Sequence, residues 1–500
     1  MDNVLINLKD CNTLLEDITV LFFRHNQIYL VFMINTDNHQ YKSRSSRVIL
    51  GVVRWRTYMM ANQNNLPKKV WFVFIIFGLI GQMAWTIENM YLNVYIYKTV
   101  TVDSSAIATM VALSAIVATI ATLTMGALSD KMGKRKIFMT IGYMIWGIMI
   151  GLFGFINTDS ISSIFPSGNI IVITLWTIIT LDCFMTFIGS TSNDAAFQAW
   201  ITDVTNTHNR GKAEGLISTM PLLGMLVVFG VLDAFTKNEQ WQTFFFLVGG
   251  IVFISGLIGL FLIQDQPIDK KETHYFKDII YGFKPSTIKN NKLLYIVYGA
   301  VSILGIAQQV FIPYFIIYFE FYIEMENYVI LLGAFLTLSS IVSIIGGRYI
   351  DKYGKKPFLI ISIFGYIIGM FVLFILGITI KDNLLWTFIL TLIFGVVMMG
   401  SYLISMVVLN ALGRDLVPKT HIGVFSGVKM IFFVMIPMII GPFIGSSVIQ
   451  NSASTYIDEF GILQSVPTPG IYLAGSIVAC FAFIPVYFVF KHLKKTEIRG

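Results

Sequence analysis

Stretches of about twenty or more apolar residues recur along this chain from residue 70 to residue 490, and nothing else in it limits the fold so severely. In hydrocarbon, every backbone N–H and C=O must be satisfied within the protein, which leaves the α-helix as the spanning form for stretches of this length. Twelve helices are predicted. The first six are Val70–Tyr97, Ser104–Leu128, Phe138–Phe155, Ile170–Ala196, Gly211–Phe235 and Gln242–Ile263. The second six are Leu293–Tyr322, Val329–Ile350, Phe358–Ile380, Leu384–Leu412, Ile422–Ile449 and Gly470–Phe490. Hydrophobic residues make up 56% of the chain and charged residues 13%, where a soluble domain carries about 25% charge. The expected fold class is an all-α polytopic membrane protein with the lipid bilayer around it. The formal charge of +7 then concerns membrane side, and no nucleic-acid partner is expected.

The first 58 residues stand apart. Their longest apolar run, Ile18 to Ile34, is broken by Arg24, His25, Asn26 and Gln27, and Met59-Met60 offers a second start just ahead of the first helix. This extension reads as a disordered cytoplasmic tail or an over-called start. After it, the expected domains are a six-helix bundle over 66–263, a cytoplasmic connector over 264–292, a second six-helix bundle over 293–490 and a cytoplasmic tail over 491–500. In the connector, Tyr275, Phe276, Ile279, Ile280 and Phe283 share one helical face, the pattern of a short interfacial helix.

Two connections repeat. The loop Gly126-Ala-Leu-Ser-Asp130-Lys-Met-Gly133-Lys134-Arg135-Lys136 follows the second helix; Gly347-Arg-Tyr-Ile-Asp351-Lys-Tyr-Gly354-Lys-Lys356 follows the eighth, 221 positions on. Asp203, Gly211 and Gly215 around the start of the fifth helix are matched by Asp415, Gly423 and Gly427 at the eleventh, 212 positions on. Matching connections in matching places mean two related six-helix halves. If the Gly126–Lys136 loop is cytoplasmic, Lys98, Lys237 and Lys381 are the outer cations after residue 67, and both ends of the chain are expected inside.

These residues resemble the major facilitator superfamily, whose signature between helices 2 and 3 is similar to Gly126-x3-Asp130-x2-Gly133-Lys134-Arg135, with its partner at Gly347–Lys356. The resemblance runs from Leu66 onward. Gly81-Gln-Met-Ala-Trp85-x2-Glu88-Asn89-x3-Asn93 and Asn193–Asp203 are further similar to its sucrose-transporter-like branch, near the glycoside–cation symporters. The resemblance implies secondary transport and a central cavity lined by helices 1, 4, 7 and 10. It also implies docking across the halves: Asp130 at the start of helix 11 (His421 to Gly423), and Asp351 at the start of helix 5 (Arg210 to Lys212). A carboxylate at a helix N-terminus gains about 0.3–1 kcal/mol from the dipole.

Glu88 stands near the middle of the first helix, where a charge costs about 2.5–3.5 kcal/mol even on lenient scales. Gln82, Trp85, Asn89 and Asn93 share a face there, and Glu88 lies about a third of a turn away. Asp182, Thr186, Gly189 and Asn193 share a face of the fourth helix. Glu88 and Asp182 are the candidates for handling a coupling ion, proton or sodium. Gln82, Trp85, Asn89, Asn93, Gln308, Gln309 and Tyr402 are the candidate substrate contacts. Trp85 and Tyr91 either stack on a sugar ring or pack, and Lys429 either snorkels or faces the cavity. Gating positions are Gly126, Asp130, Gly133, Lys134, Arg135, Gly347, Asp351, Gly354, Asp203, Arg210 and Asp415.

No Walker loop, HExxH or GxSxG occurs, and Cys11, Cys183 and Cys480 have neither disulfide nor metal spacing. Neither an enzyme nor a resident cofactor is expected. The expected function is uptake of a small polar solute, sugar or glycoside, by one chain acting as a monomer in the plasma membrane. The alternative is a drug or metabolite exporter of the same fold. A non-transporting sensor or a polytopic enzyme is more remote.

Overall fold

A computed structural model describes residues 19–24, 27–32, 66–205, 209–265, 281–353, 355–380, 383–418, 422–452, 455–457 and 463–497. It divides into a first unit, Met1–Leu66, and a second, Pro67–Gly500. In the first unit, β1 (Thr19–Arg24) and β2 (Gln27–Phe32) pair antiparallel, Thr19 opposite Phe32 and Arg24 opposite Gln27. The outer two residues of the polar break, Arg24 and Gln27, end β1 and begin β2 and are paired with each other.

The second unit holds the twelve expected helices. They are α1 (Lys68–Thr99), α2 (Ser104–Met132), α3 (Lys136–Phe155), α4 (Ile170–Val204), α5 (Lys212–Lys237) and α6 (Trp241–Leu262), then α7 (Lys292–Tyr322), α8 (Tyr328–Gly346), α9 (Lys356–Thr379), α10 (Leu384–Leu416), α11 (Gly427–Gln450) and α12 (Gly470–Lys491). Large apolar side chains face outward along them, Phe72, Ile120, Trp176 and Phe261 among others, as a hydrocarbon solvent requires. A short hairpin, β3 (Thr455–Ile457) with β4 (Leu463–Ser465), joins α11 to α12. The aromatic face expected for an interfacial helix lies mostly outside the described residues; a short helix, Pro285–Asn290, follows it.

The first repeated loop is mostly helix. The apolar run ends near Leu128, but α2 continues to Met132, because beyond the hydrocarbon a helix can carry polar side chains and still bond its own backbone. What remains of the loop is Gly133–Arg135. Gly133 adopts φ 63, and its N–H reaches Ser129 O at 3.0 Å, closing the helix with a left-handed residue. The motif glycine is therefore a helix stop. Gly133→Ala should cost about 1–2 kcal/mol through backbone strain alone. A thermal melt of the purified variant unchanged from the parent would contradict that role. In the second half the helix that begins at Tyr328 likewise runs on through the repeat to Tyr353.

Within the first half α3 and α6 pack backbone to backbone. A Cβ on Gly147 would lie 2.5 Å from Gly249 O, and one on Gly249 would lie 2.5 Å from Gly147 O. Small residues permit this approach where dispersion, not water exclusion, drives helix association. The two halves meet along three seams, α2 against α11, α5 against α8 and α1 against α7, the first two related by exchange of halves. Among the described residues, polar contacts across these seams gather at the end remote from Gly126–Arg135, here the distal end. The Ser104 and Ser446 hydroxyls lie 2.9 Å apart, Gln450 Nε2 donates to Asp103 Oδ1 at 3.1 Å, and Tyr314 Oη reaches Ser104 O at 3.1 Å.

Candidate functional site

Both helices that carry the mid-membrane acids are wound irregularly. A π-turn occupies Ile87–Tyr91 in α1 and another Ser190–Phe197 in α4. Such wide turns re-aim the side chains around them and occur often at functional sites. Glu88 sits in the first, 6% exposed, and its Oε1 accepts a hydrogen bond from Thr186 Oγ1 of α4 at 2.8 Å. Asp182, 1% exposed, accepts from Ser114 Oγ of α2. The other oxygens, Glu88 Oε2 and Asp182 Oδ1, are buried without a hydrogen-bond partner. Asp182 and Asp194 each lie close enough to Glu88 to repel its carboxylate. Among the described residues no Lys, Arg or His forms an ion pair with Glu88 or Asp182. Nor do any three His, Cys, Asp or Glu side chains among them converge to hold a metal ion. Among the described residues, then, the two buried acids have two hydroxyls and no cation to offset a charge.

The face of α1 that promised a cavity wall divides. Gln82, Trp85 and Asn89 keep part of their surface, whereas Asn93 is fully buried and donates to Asn89 O at 2.8 Å. Asn89 itself donates to Trp85 O at 2.8 Å, and Trp85 lies against Trp146 with ring centroids 5.1 Å apart. The α4 face turns into the half rather than toward a cavity: Asn193 Nδ2 donates to Tyr143 Oη at 2.9 Å. A Cβ on Gly81 would lie 1.7 Å from that Asn193 nitrogen, which ties α1 to α4 beside the acids. Gln308 and Gln309 are half-buried at the end of the regular part of α7, just before the turn Ile312–Tyr314 that contains Pro313. Tyr402 is 8% exposed and packs on Tyr366, centroids 5.3 Å apart. Tyr91, 1% exposed, is spent on a hydrogen bond to Asp233 and offers no ring face to a substrate. Lys429 Nζ rests 4.6 Å from the centroid of the Phe433 ring.

At the opposite end of the half, Arg135 is more than a topology-setting cation. It is 4% exposed; its guanidinium bonds Asp130 and Ser129 Oγ, and Nε donates to Asp203 Oδ2 at 3.0 Å. Burial is the largest single influence and works against its charge, but the hydrogen bonds and the negative charges of Asp203 and Asp130 together outweigh it and hold its pKa above the usual arginine value. Asp265 Oδ1 accepts from the backbone N–H of Arg135 and of Lys136, both at 2.8 Å, capping α3. Two sequence motifs read separately, the Gly126 loop and Asp203, are joined here by one side chain. No local pattern announces that bridge. Lys134 points to solvent, and Gly126 makes an ordinary contact with Ala195. The residue equivalent to Arg135, Lys356, instead lies over the Phe490 ring at 5.6 Å. Asp415 is exposed in the last turn of α10. Gly354, the surroundings of Gly347, and the side chains of Arg210, Asp351 and the start of helix 11 lie outside the described residues, and the expected docking of Asp130 and Asp351 lies outside them too.

The description Major Facilitator Superfamily matches this chain over residues 70–442. Its structure is similar to that of the nucleoside transporter NupG, at 13% identity and TM-score 0.59, over 85% of this chain and 98% of that one. It is similar also to the xylose transporter XylE from E. coli in a partially occluded inward-open conformation, at 14% identity and TM-score 0.57, over 84% and 98%. The multidrug resistance protein MdtG of Klebsiella pneumoniae (strain 342) is 24% identical over 247 residues, 48% of this chain and 54% of that protein. The chain thus matches about half the length of this curated relative. With most of its length matched by the family and twelve helices arranged as two contacting halves, the chain belongs to the Major Facilitator Superfamily.

Proposed function

We propose that this protein is a secondary transporter that moves a small polar solute, a sugar or glycoside, together with a proton or sodium ion. The observation that carries this reading is the Glu88–Asp182 pair, buried with one unpartnered oxygen on each acid and, among the described residues, no cation paired with either. Acids at such depth are expensive unless they serve ion movement. The half-buried groups Gln82, Asn89, Gln308 and Gln309, with Trp85 among them, supply neutral amides and one aromatic face, which suits a hydroxyl-rich solute better than a charged one. The distribution of cations supports a cytoplasmic Gly126–Arg135 end. On that reading the distal end faces outward and is closed in this structure, and the plasma membrane is the natural site for such a protein.

The MdtG likeness favours one second reading, export of amphipathic compounds. Proteoliposomes given labelled sugars, glycosides and amphipathic cations, with proton and sodium gradients imposed separately, distinguish the two. Gradient-stimulated uptake of a sugar or glycoside is the expected result. Movement of the amphipathic compounds alone would overturn it in favour of export.

A further inference from the structure

One helix crossing occurs in both halves, and the two copies differ in what they leave unbonded. In the first half α3 meets α4 where Gly142 faces Ser192; a Cβ on Gly142 would lie 2.6 Å from the Ser192 Cβ. In the second half α9 meets α10 where Gly365 faces Ser401, again too close for a Cβ. A tyrosine follows each glycine. Tyr143 uses its hydroxyl both ways, donating to Phe77 O at 2.8 Å and accepting from Asn193 Nδ2 at 2.9 Å. Its counterpart Tyr366 is just as buried, but its hydroxyl has no hydrogen-bond partner. Where Asn193 follows Ser192, Tyr402 follows Ser401, and its ring packs on Tyr366 with centroids 5.3 Å apart. One turn away along both helices, the Ser362 and Ser405 hydroxyls lie 2.7 Å apart.

We propose that the α9–α10 crossing is a covered subsite for a hydroxyl of the transported solute, with Tyr366 as its floor and Tyr402 as its cover. The inference rests on the solute-transport reading above. A tyrosine in that space packs as a phenylalanine would and costs more, because its hydroxyl has left water and gained no bond. Tyr143 shows that the fold can satisfy a tyrosine at this place when an amide stands opposite. At Tyr366 the amide is replaced by Tyr402, which belongs to a helix expected to line the cavity and keeps 8% of its surface. A change of rotamer at Tyr402 uncovers the Tyr366 hydroxyl and leaves both backbones in place. A phenol donates one hydrogen bond and accepts others, which suits a neutral alcohol. Water offers the same chemistry as a solute hydroxyl, and the experiment separates the two.

Melting and binding are read on the same purified variants. Tyr366→Phe should melt with the parent or above it, whereas Tyr143→Phe, which loses two bonds, should melt roughly 2–4 °C lower. Binding is read by equilibrium dialysis of radiolabelled methyl glucoside, methyl galactoside and their monodeoxy analogues. Tyr366→Phe should weaken the full glycoside about 10-fold and leave one analogue unchanged, the one lacking the hydroxyl that Tyr366 receives. An equal loss for every analogue overturns the subsite, and so does no loss for any, which would leave water as the occupant. Melting of Tyr366→Phe as low as that of Tyr143→Phe also overturns it, since the hydroxyl would then be bonded in the resting protein. If the parent binds no glycoside, the solute reading fails, and thiol labelling still decides the cover. Tyr366→Cys, in a chain with Cys11, Cys183 and Cys480 changed to Ser, should react slowly with N-ethylmaleimide and about 10-fold faster once Tyr402→Ala is added. Equal rates with and without that change overturn Tyr402 as the cover.

Discussion

Vesicles carrying Glu88→Gln or Asp182→Asn should lose uphill accumulation while still exchanging internal for external solute. The expectation follows from the environment of the two acids. Each has one oxygen held by a hydroxyl, Thr186 or Ser114, and one buried oxygen with no partner. A charge at that depth costs about 2.5–3.5 kcal/mol on the lenient scale, and a nearby second acid raises the cost for both. A proton or sodium ion entering with the solute removes the cost; an amide of the same shape never incurs it. The neutral variants keep the shape and a hydrogen-bond acceptor for each hydroxyl, so the bundle should assemble and the solute path should survive. What they lose is the reason for solute and ion to move together. One coupled charge at 100 mV is worth about 2.3 kcal/mol, roughly 50-fold accumulation, and the uncoupled variants should fall to a ratio of about 1. Counterflow measured beside accumulation separates lost coupling from lost transport. Full gradient-dependent accumulation in both variants would leave the acids with a purely structural role.

How far the sequence could be read follows from what periodicity reports. Run length and loop cations place the helices, because the bilayer imposes both on the chain locally; α1 to α12 fall where the apolar runs do. Glu88 and Asp182 stand out for the same reason, since an acid at mid-depth is costly wherever it points. Periodicity also tells which residues share a helix face. It does not tell what stands opposite. Asn93 shares a face with Gln82 and Asn89 on an ideal helix, yet the π-turn at Ile87–Tyr91, which holds Asn89, separates it from Gln82, and Asn93 ends fully buried. Tyr91 meets Asp233 across 142 positions and Lys98 meets Glu320 across 222, separations at which no local pattern survives. Arg135 reads as one cation in a basic run until the fold brings Asp203 to it.

Arg135→Met should destabilise the first half more than any other change in the Gly126–Arg135 connection. The guanidinium is almost fully buried and bonds two carboxylates and a hydroxyl from two helices, while its own N–H caps a third through Asp265. Methionine matches the stem but removes the charge, leaving Asp130 and Asp203 facing each other with nothing between. Removing one partner of a buried ion pair costs about 3–5 kcal/mol. Because the Asp130 side chain is 40% exposed, water recovers part of that, and the lower end of the range is expected. Lysine restores a charge but not the planar fork that reaches both acids at once, so Arg135→Lys should fall between the parent and Arg135→Met. Asp130→Asn removes only the exposed partner and should be the mildest of the three. Melting temperatures in one detergent rank the set: parent, Asp130→Asn, Arg135→Lys, Arg135→Met, in falling order. If Arg135→Met melts with the parent, the buried bridge contributes nothing net. Arg135 would then be one more cation of the run Lys134–Lys136, of the kind that fixes which side of the membrane a loop occupies.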